Sequence, residues 1–458
     1  MNRNIPPLAV LLAAVICVSV SAQAVEIDEN ALFSDTAIAM VDSGSLAVAS
    51  TAVDGVDSTV VSFSGGVTGV SETGLSRDWF ETRDRGEIDP GALMLGDLML
   101  DVRLPFGMKT FIDGEVYSSP DSNGLTFAVP ELFLDANIKR RVYFRAGKQV
   151  LQWGRGYFWN PTDMVNVERK TFIERIGSRE GTFGLRTHIP FKTKWNIYGF
   201  LDMNKLSSVD SLAGAARFEG LFGGTEASVS MWGKRGKFPI FGLDFSTTIL
   251  RWSVTGEMSV TSGKNYRVLD MENSAAFSDN PLAHPLDSQF VLKNFGDDPV
   301  VRLCAGFMRM FDLLDIDDRL MVVGEFYYNQ AGDGGNVFKK YHIGQKYKEI
   351  IALPNIDTRK QAAGMALQQG FEFNSLAKFY GAFFITVSKF IISDMTLQLN
   401  GLANFNHRCA MLTAGVNYAT LHNFSLGCLV TGFVGPEEAE YTFTGNSASV
   451  RVTAGVTF

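Results

Sequence analysis

The chain has 458 residues, of which 46% are hydrophobic, 12% aromatic and 20% charged, and its formal net charge at pH 7 is −8. That length exceeds an ordinary single soluble domain, yet no break in composition marks two, and the acidic balance argues against a nucleic-acid partner. Beyond the first 24 residues no stretch offers the roughly 18 uninterrupted apolar residues of a transmembrane helix, so any crossing of a bilayer must be made by strands.

At the start of the chain Arg3 is the only charge before an apolar run from Leu8 to Val20, and Ala22-Gln23-Ala24 has the small-x-small form of a cleavage site. Residues 1–24 are therefore expected to be a signal peptide, the run being too short for a membrane anchor. Cys17 follows Ile16 where a lipoprotein signal wants a small residue, so it is a passive member of the run. Residues 25–58 are expected to form a periplasmic lead or a short plug, with Ala31 to Met40 suited to a brief helix.

From residue 59 onward the sequence divides into segments of alternating apolar and polar residues, the pattern of strands whose side chains point to opposite faces. Eighteen are counted: 59–70, 93–104, 107–117, 126–138, 142–152, 180–189, 194–203, 211–220, 223–233, 238–246, 249–261, 299–311, 319–330, 376–389, 394–404, 408–418, 423–434 and 447–458. In one of them Leu250, Trp252, Val254, Met258 and Val260 oppose Arg251, Ser253, Thr255, Glu257 and Ser259. The connections sort by parity. Short turns are expected at 105–106, 139–141, 190–193, 221–222, 246–248, 312–318, 390–393 and 419–422. Long loops fall at 71–92, 153–179, 262–298, 331–375 and 435–446, with shorter members at 118–125, 204–210, 234–237 and 405–407. Asp357 to Gln369, within one long loop, has helix-forming composition. The reading is an all-β fold, a transmembrane antiparallel β-barrel of sixteen to eighteen strands with eighteen preferred, over residues 59–458.

Glu131 to Arg179 is the most distinctive local sequence. With Lys139-Arg140-Arg141 as a turn, Ile138 pairs with Val142, which sets Asp135 opposite Arg145 and Glu131 opposite Gln149 on the lumenal face. Lys148 then falls on the outer face, where its stem can reach the interface. Beyond the strand, Gly154 and Gly156 permit a sharp departure and Asn160-Pro161-Thr162-Asp163 is turn chemistry. The following loop, third on the long-loop side, carries Arg155, Arg169, Lys170, Arg175 and Arg179 against Asp163, Glu168, Glu174 and Glu180. Opposed charges there suit either a pore constriction over 153–180 or a loop braced by its own ion pairs across the rim.

Catalysis finds no support, since His188, His284, His342, His407 and His422 are scattered without nucleophile or metal-ligand spacing. No cofactor or metal is expected. Asp312, Asp315, Asp317 and Asp318 lack a calcium loop's spacing, and Gly332-Asp333-Gly334-Gly335 lacks the Lys-Ser/Thr of a phosphate loop. Cys304, Cys409 and Cys428 match no disulfide or zinc framework and are expected as unpaired apolar side chains.

The final segment, with Val450, Val452, Ala454, Val456 and Phe458 on one face, resembles the closing strand of a bacterial outer-membrane β-barrel. Gly147-Lys148-Gln149-Val150-Leu151-Gln152-Trp153-Gly154, followed by Asn160-Pro161-Thr162-Asp163 and Asn166, resembles one group of porin-like barrels akin to the alginate-export channels. The likeness covers about twenty residues, and Asn166-Val167 departs from the group's usual Asn-Pro. These resemblances imply a location in a Gram-negative-type outer membrane with both termini periplasmic. They imply as partners membrane lipid, a lipopolysaccharide-type outer leaflet, and the barrel-assembly machinery that reads a terminal Phe458. The expected function is passive passage of small polar solutes, with Glu131, Asp135, Arg145, Gln149, Arg155, Asp163, Arg169 and Arg175 lining the path. Two other classes fit the same residues: a hydrophobic-ligand transporter with residues 25–58 as plug, and an adhesin or structural barrel using loops 262–298 and 331–375. Trp252, Tyr327 and Tyr328 are expected in the interfacial aromatic girdles.

Overall fold

A computed structural model describes residues 59–76, 91–118, 125–151, 153–165, 181–192, 194–204, 212–270, 291–340, 374–419, 423–443 and 445–458. The expected signal peptide, the 25–58 lead, both helix expectations (31–40 and 357–369), Arg169 and Arg175 lie outside these residues. Alternation produces strands throughout. The first nine are β1 (Val60–Ser76), β2 (Gly91–Leu104), β3 (Met108–Ser118), β4 (Leu125–Ile138), β5 (Val142–Gln149), β6 (Thr182–Phe191), β7 (Trp195–Asp202), β8 (Ala213–Phe222) and β9 (Thr225–Lys234). Then come β10 (Ile240–Ile249), β11 (Trp252–Ser262), β12 (Arg267–Asp270), β13 (Val291–Asn294), β14 (Pro299–Leu313) and β15 (Ile316–Asn329). A single-turn helix α1 (Val337–Lys340) precedes β16 (Phe379–Val387), β17 (Met395–Asn404), β18 (Cys409–Ala419), β19 (Phe424–Val434) and β20 (Asn446–Thr457).

Eighteen of these strands form one sheet with antiparallel pairing between chain neighbours, closed by β1 on β20. The remaining two, β12 and β13, make a two-stranded ribbon within the loop between β11 and β14. Closure removes the sheet's edges, so every wall strand finds backbone partners on both sides without water. At the seam Gly65 and Phe458 exchange backbone hydrogen bonds of 3.0 and 2.9 Å, which holds the last residue on the short-turn rim where β1 begins.

Inward and outward positions differ sharply in chemistry. Along β10, Ile240, Gly242 and Asp244 are buried, while Phe241, Leu243 and Phe245 are exposed on the outside. The polar set on β11 predicted to oppose the apolar one (Ser253, Thr255, Glu257 and Ser259) points inward. An outer belt of exposed apolar side chains over a polar interior is the inverse of a soluble protein and suits a lipid surround.

Several boundaries depart from the sequence reading. β1 runs to Ser76 because it stays paired with β20 beyond residue 70. Two turns sit elsewhere, at Gly223-Gly224 rather than 221–222 and at Leu250-Arg251 rather than 246–248, while the turn expected over 312–318 tightens to Leu314-Asp315 within it. Leu250 and Arg251 have φ of 50° and 67°, and Leu314 and Asp315 have 54° and 59°. Positive φ at both central residues marks the tight hairpin whose twist matches the strands, and that geometric demand overrides residue preference at these sites. Tyr327 does not join an outer girdle. It points inward, 5% exposed, and stacks on Trp159; Trp252 and Tyr328 do lie on the outward face. The three cysteines are free, Cys304 and Cys409 buried and Cys428 exposed.

Candidate functional site

After Gln149 the chain leaves the wall and enters the lumen. The Val150 N–H donates to Glu131 at 2.8 Å, which ends the ladder three residues earlier than alternation suggested. Glycine is required at the bend: a Cβ on Gly154 would sit 2.3 Å from Asn160 Oδ1, and one on Gly156 2.1 Å from the Trp159 carbonyl oxygen. Leu151, Trp153, Trp159, Thr162, Asp163, Met164 and Val165 are all buried, so this segment is packed against the barrel's inner surface.

Two wall carboxylates hold its backbone. Glu257 of β11 accepts from the N–H groups of Arg155, Gly156 (2.5 Å) and Thr162 (3.2 Å), and from the Thr162 hydroxyl at 2.8 Å. Glu325 of β15 accepts from Tyr157 (2.6 Å), Phe158 (3.2 Å) and Trp159 (2.6 Å). Buried irregular backbone must find partners for its donors, and charged acceptors make the strongest ones. The Arg155 guanidinium reaches Asp244 and Glu226 at 2.8 Å and Glu219 at 2.9 Å, on β10, β9 and β8. Arg217 bridges the same Glu219 and Asp244, each at 3.1 Å, and donates to the Trp153 carbonyl. Trp159 stacks on Tyr327 with ring centroids 5.4 Å apart, and its Nε1–H donates to the Asn374 carbonyl at 2.8 Å. The segment is thus fastened from β8 round to β15.

On β2 to β6 the inward charged side chains are less enclosed. Asp97, Asp101, Lys109, Asp113, Asp135, Arg145 and Arg186, on β2 to β6, are partly exposed, whereas Arg217, Asp244, Glu257 and Glu325 are buried. The inward charges are therefore less enclosed on β2–β6 than on β8–β15.

The expected site residues divide along this line. Asp135 and Arg145 pair across β4 and β5 through two parallel bonds of 2.7 and 2.9 Å, and the guanidinium carbon lies 3.7 Å from the Phe133 ring centroid. Glu131 is inward and spent on the loop's first amide. Gln149 and Asp163 are not open to solute: Gln149 is fully buried, donating to the Arg145 and Gly184 carbonyls, and Asp163 is 4% exposed. Both are sealed because the loop packs over the wall at the point where it departs. Arg155 is enclosed by its three carboxylates. Glu219, Asp244, Glu257 and Glu325 escaped the sequence reading, although an acidic residue on an inward strand position was visible at each. Their partners on the inward loop are 64 to 168 residues away in sequence.

A second inward group meets the first at Asn374. Glu440, in the last long loop, is fully buried and accepts from the Asn374 N–H (2.6 Å), Asn404 Nδ2 (2.6 Å) and the Tyr380 hydroxyl (3.0 Å). Burial pushes its carboxyl up to about 7 against the opposing effect of these donors. Tyr441 donates to Asn374 Oδ1 at 2.7 Å, so Asn374 links this loop to Trp159.

No protein-family model matches the chain, and no curated protein matches it. Solved structures do. OccAB1 of Acinetobacter baumannii aligns with TM-score 0.50 and 8% identity over 87% of this chain and 96% of that one. A BenF-like porin from Pseudomonas fluorescens Pf-5 (0.48, 9%) and Pseudomonas aeruginosa OccK2 in complex with glucuronate (0.48, 8%) each align over 87% of this chain and 98% of their own. The chain shares the closed, eighteen-stranded antiparallel barrel fold of OccAB1.

Proposed function

We propose that this protein is an outer-membrane channel for the passive passage of small polar solutes, narrowed by its third long loop. One observation carries the reading: residues 150–151 and 153–165 cross a polar lumen and are clasped by Glu257 and Glu325, with half-buried charged wall along β2–β6. At eighteen strands a barrel encloses more space than wall side chains fill, so an inward loop sets the bore without closing it. Solutes pass between this loop and β2–β6, meeting Glu131, Asp135 and Arg145, with Arg155 shaping the loop rather than touching solute. Arg169 and Arg175 are proposed for the loop's remaining stretch. The termini face the periplasm, and the strand ending at Phe458 engages the assembly machinery. The resemblance of Gly147 to Asn166 to the alginate-export-like group supports a channel and leaves its solute to experiment. Liposomes containing the mature chain should swell in isotonic solutions of small sugars and amino acids; absence of swelling with folded barrels present would contradict the proposal.

A further inference from the structure

The outward face of the barrel is almost free of charge. Among the described residues paired in the wall, every outward side chain is apolar, aromatic, Gly, Ser, Thr or Cys, with two exceptions: Lys148, paired with Leu132, and Arg309, paired with Val322. Lys148 lies one residue from the long-loop end of β5. Arg309 belongs to the opposite rim. It precedes the Leu314-Asp315 turn by five residues, roughly 10 Å along the barrel axis at the rise and tilt of such strands.

The surroundings of Arg309 are all outward and mostly apolar. Its guanidinium carbon is 5.4 Å from the Trp252 ring and 4.7 Å from the Phe311 ring, with Phe307 and Val322 beside it. Among the described residues it makes no hydrogen bond or ion pair, and its Nε is buried without an acceptor. A guanidinium has five donors and never sheds its charge. In a hydrocarbon-facing position such a group is costly unless it meets a counter-charge, and the described residues supply none. Trp252 marks the depth: as the first residue of β11, beside the turn, it sits where interfacial aromatics collect.

We propose that Arg309, with Trp252 and Phe311 as its apolar rim, is a binding site for the phosphodiester of a glycerophospholipid in the leaflet nearest the short turns. The planar fork of Arg matches phosphate oxygens in two-point fashion, and the flanking rings receive the glycerol and first acyl carbons. This inference rests on the membrane-embedded barrel and not on an open pore. Arg309 lies outside the lumen, so its replacement leaves conductance unchanged.

The test is native mass spectrometry of the full mature barrel released from detergent, titrated with phosphatidylglycerol and, in a separate arm, with inorganic phosphate alone. Wild type should retain one more phosphatidylglycerol per barrel than R309Q at equal lipid, R309Q needing roughly tenfold more lipid for the same occupancy. R309K, which keeps the charge and loses the fork, should fall between, K148Q should match wild type, and phosphate alone should give no adduct. Equal retention by wild type and R309Q, each shown folded by heat-modifiable migration, would overturn the assignment, as would phosphate binding as well as lipid. Normal single-channel currents alongside equal retention would sink this inference alone; barrels that fail to insert would sink the membrane reading beneath it.

Discussion

Replacing Glu325 with alanine attacks the proposed constriction at its best-defined point. The carboxylate takes three consecutive amide donors, from Tyr157, Phe158 and Trp159, at 2.6, 3.2 and 2.6 Å. Hydrogen bonds to a charged acceptor contribute about 1.5–3 kcal/mol each, and three sharing one carboxylate fall at the low end. Removing them should weaken the seating of this stretch by about 4 kcal/mol, roughly a thousandfold in the ratio of seated to unseated loop. Glu257 continues to hold residues 155, 156 and 162, and the Arg155 cluster the start of the segment, so the barrel still folds while residues 157–159 come loose. Single-channel recordings of E325A should show larger open-state noise and a higher mean conductance, with E325Q, which keeps one carbonyl acceptor, in between. A folded E325A channel with wild-type conductance and noise would refute the claim that this carboxylate seats the constriction.

Arg155→Ala leaves Glu219 and Asp244 with Arg217 as their one guanidinium and takes Arg155 away from Glu226, and should cost about 3–5 kcal/mol; a lowered unfolding midpoint in urea reads it. Gly156→Ala forces a Cβ against the Trp159 carbonyl and should displace the loop, detected as altered protease cleavage within it at unchanged barrel content. Trp159→Ala loses its stack on Tyr327 and its bond to Asn374 and should destabilise by about 3–5 kcal/mol in thermal melts. The Glu440 carboxyl, raised by burial to about 7, binds its proton more tightly folded than unfolded. Its contribution is therefore complete below about pH 4.5 and disappears as pH rises through about 7, amounting to roughly 3 kcal/mol. Melting midpoints of wild type relative to E440Q should fall across that window, and a flat difference would contradict the assignment.

The barrel was legible because its physics is local and repeated. Alternation along Leu98, Leu100, Val102 and Leu104 or along Trp252 to Val260 states which face is outward, and the parity of connections separates a short-turn rim from a long-loop rim. The Asp135–Arg145 pair was legible for the same reason, since a three-residue turn fixes its register. The turn at Leu250-Arg251 and the tight two-residue form of the one at Leu314-Asp315 were not, because hairpin twist imposed left-handed backbone on residues that do not advertise it. Glu257 and Glu325 looked like ordinary lumenal carboxylates. What they do depends on a loop 95 to 168 residues away in sequence. Tyr327 was misplaced for a related reason: an aromatic residue at an inward position serves Trp159, and nothing near it in sequence says so.

Single-channel conductance of the mature chain in planar bilayers, wild type beside a variant lacking 157–175, tests the central claim most directly. The account predicts stable ohmic steps for wild type and larger steps for the deletion. A wild-type barrel that inserts but passes no current, or a deletion with unchanged steps, would contradict it.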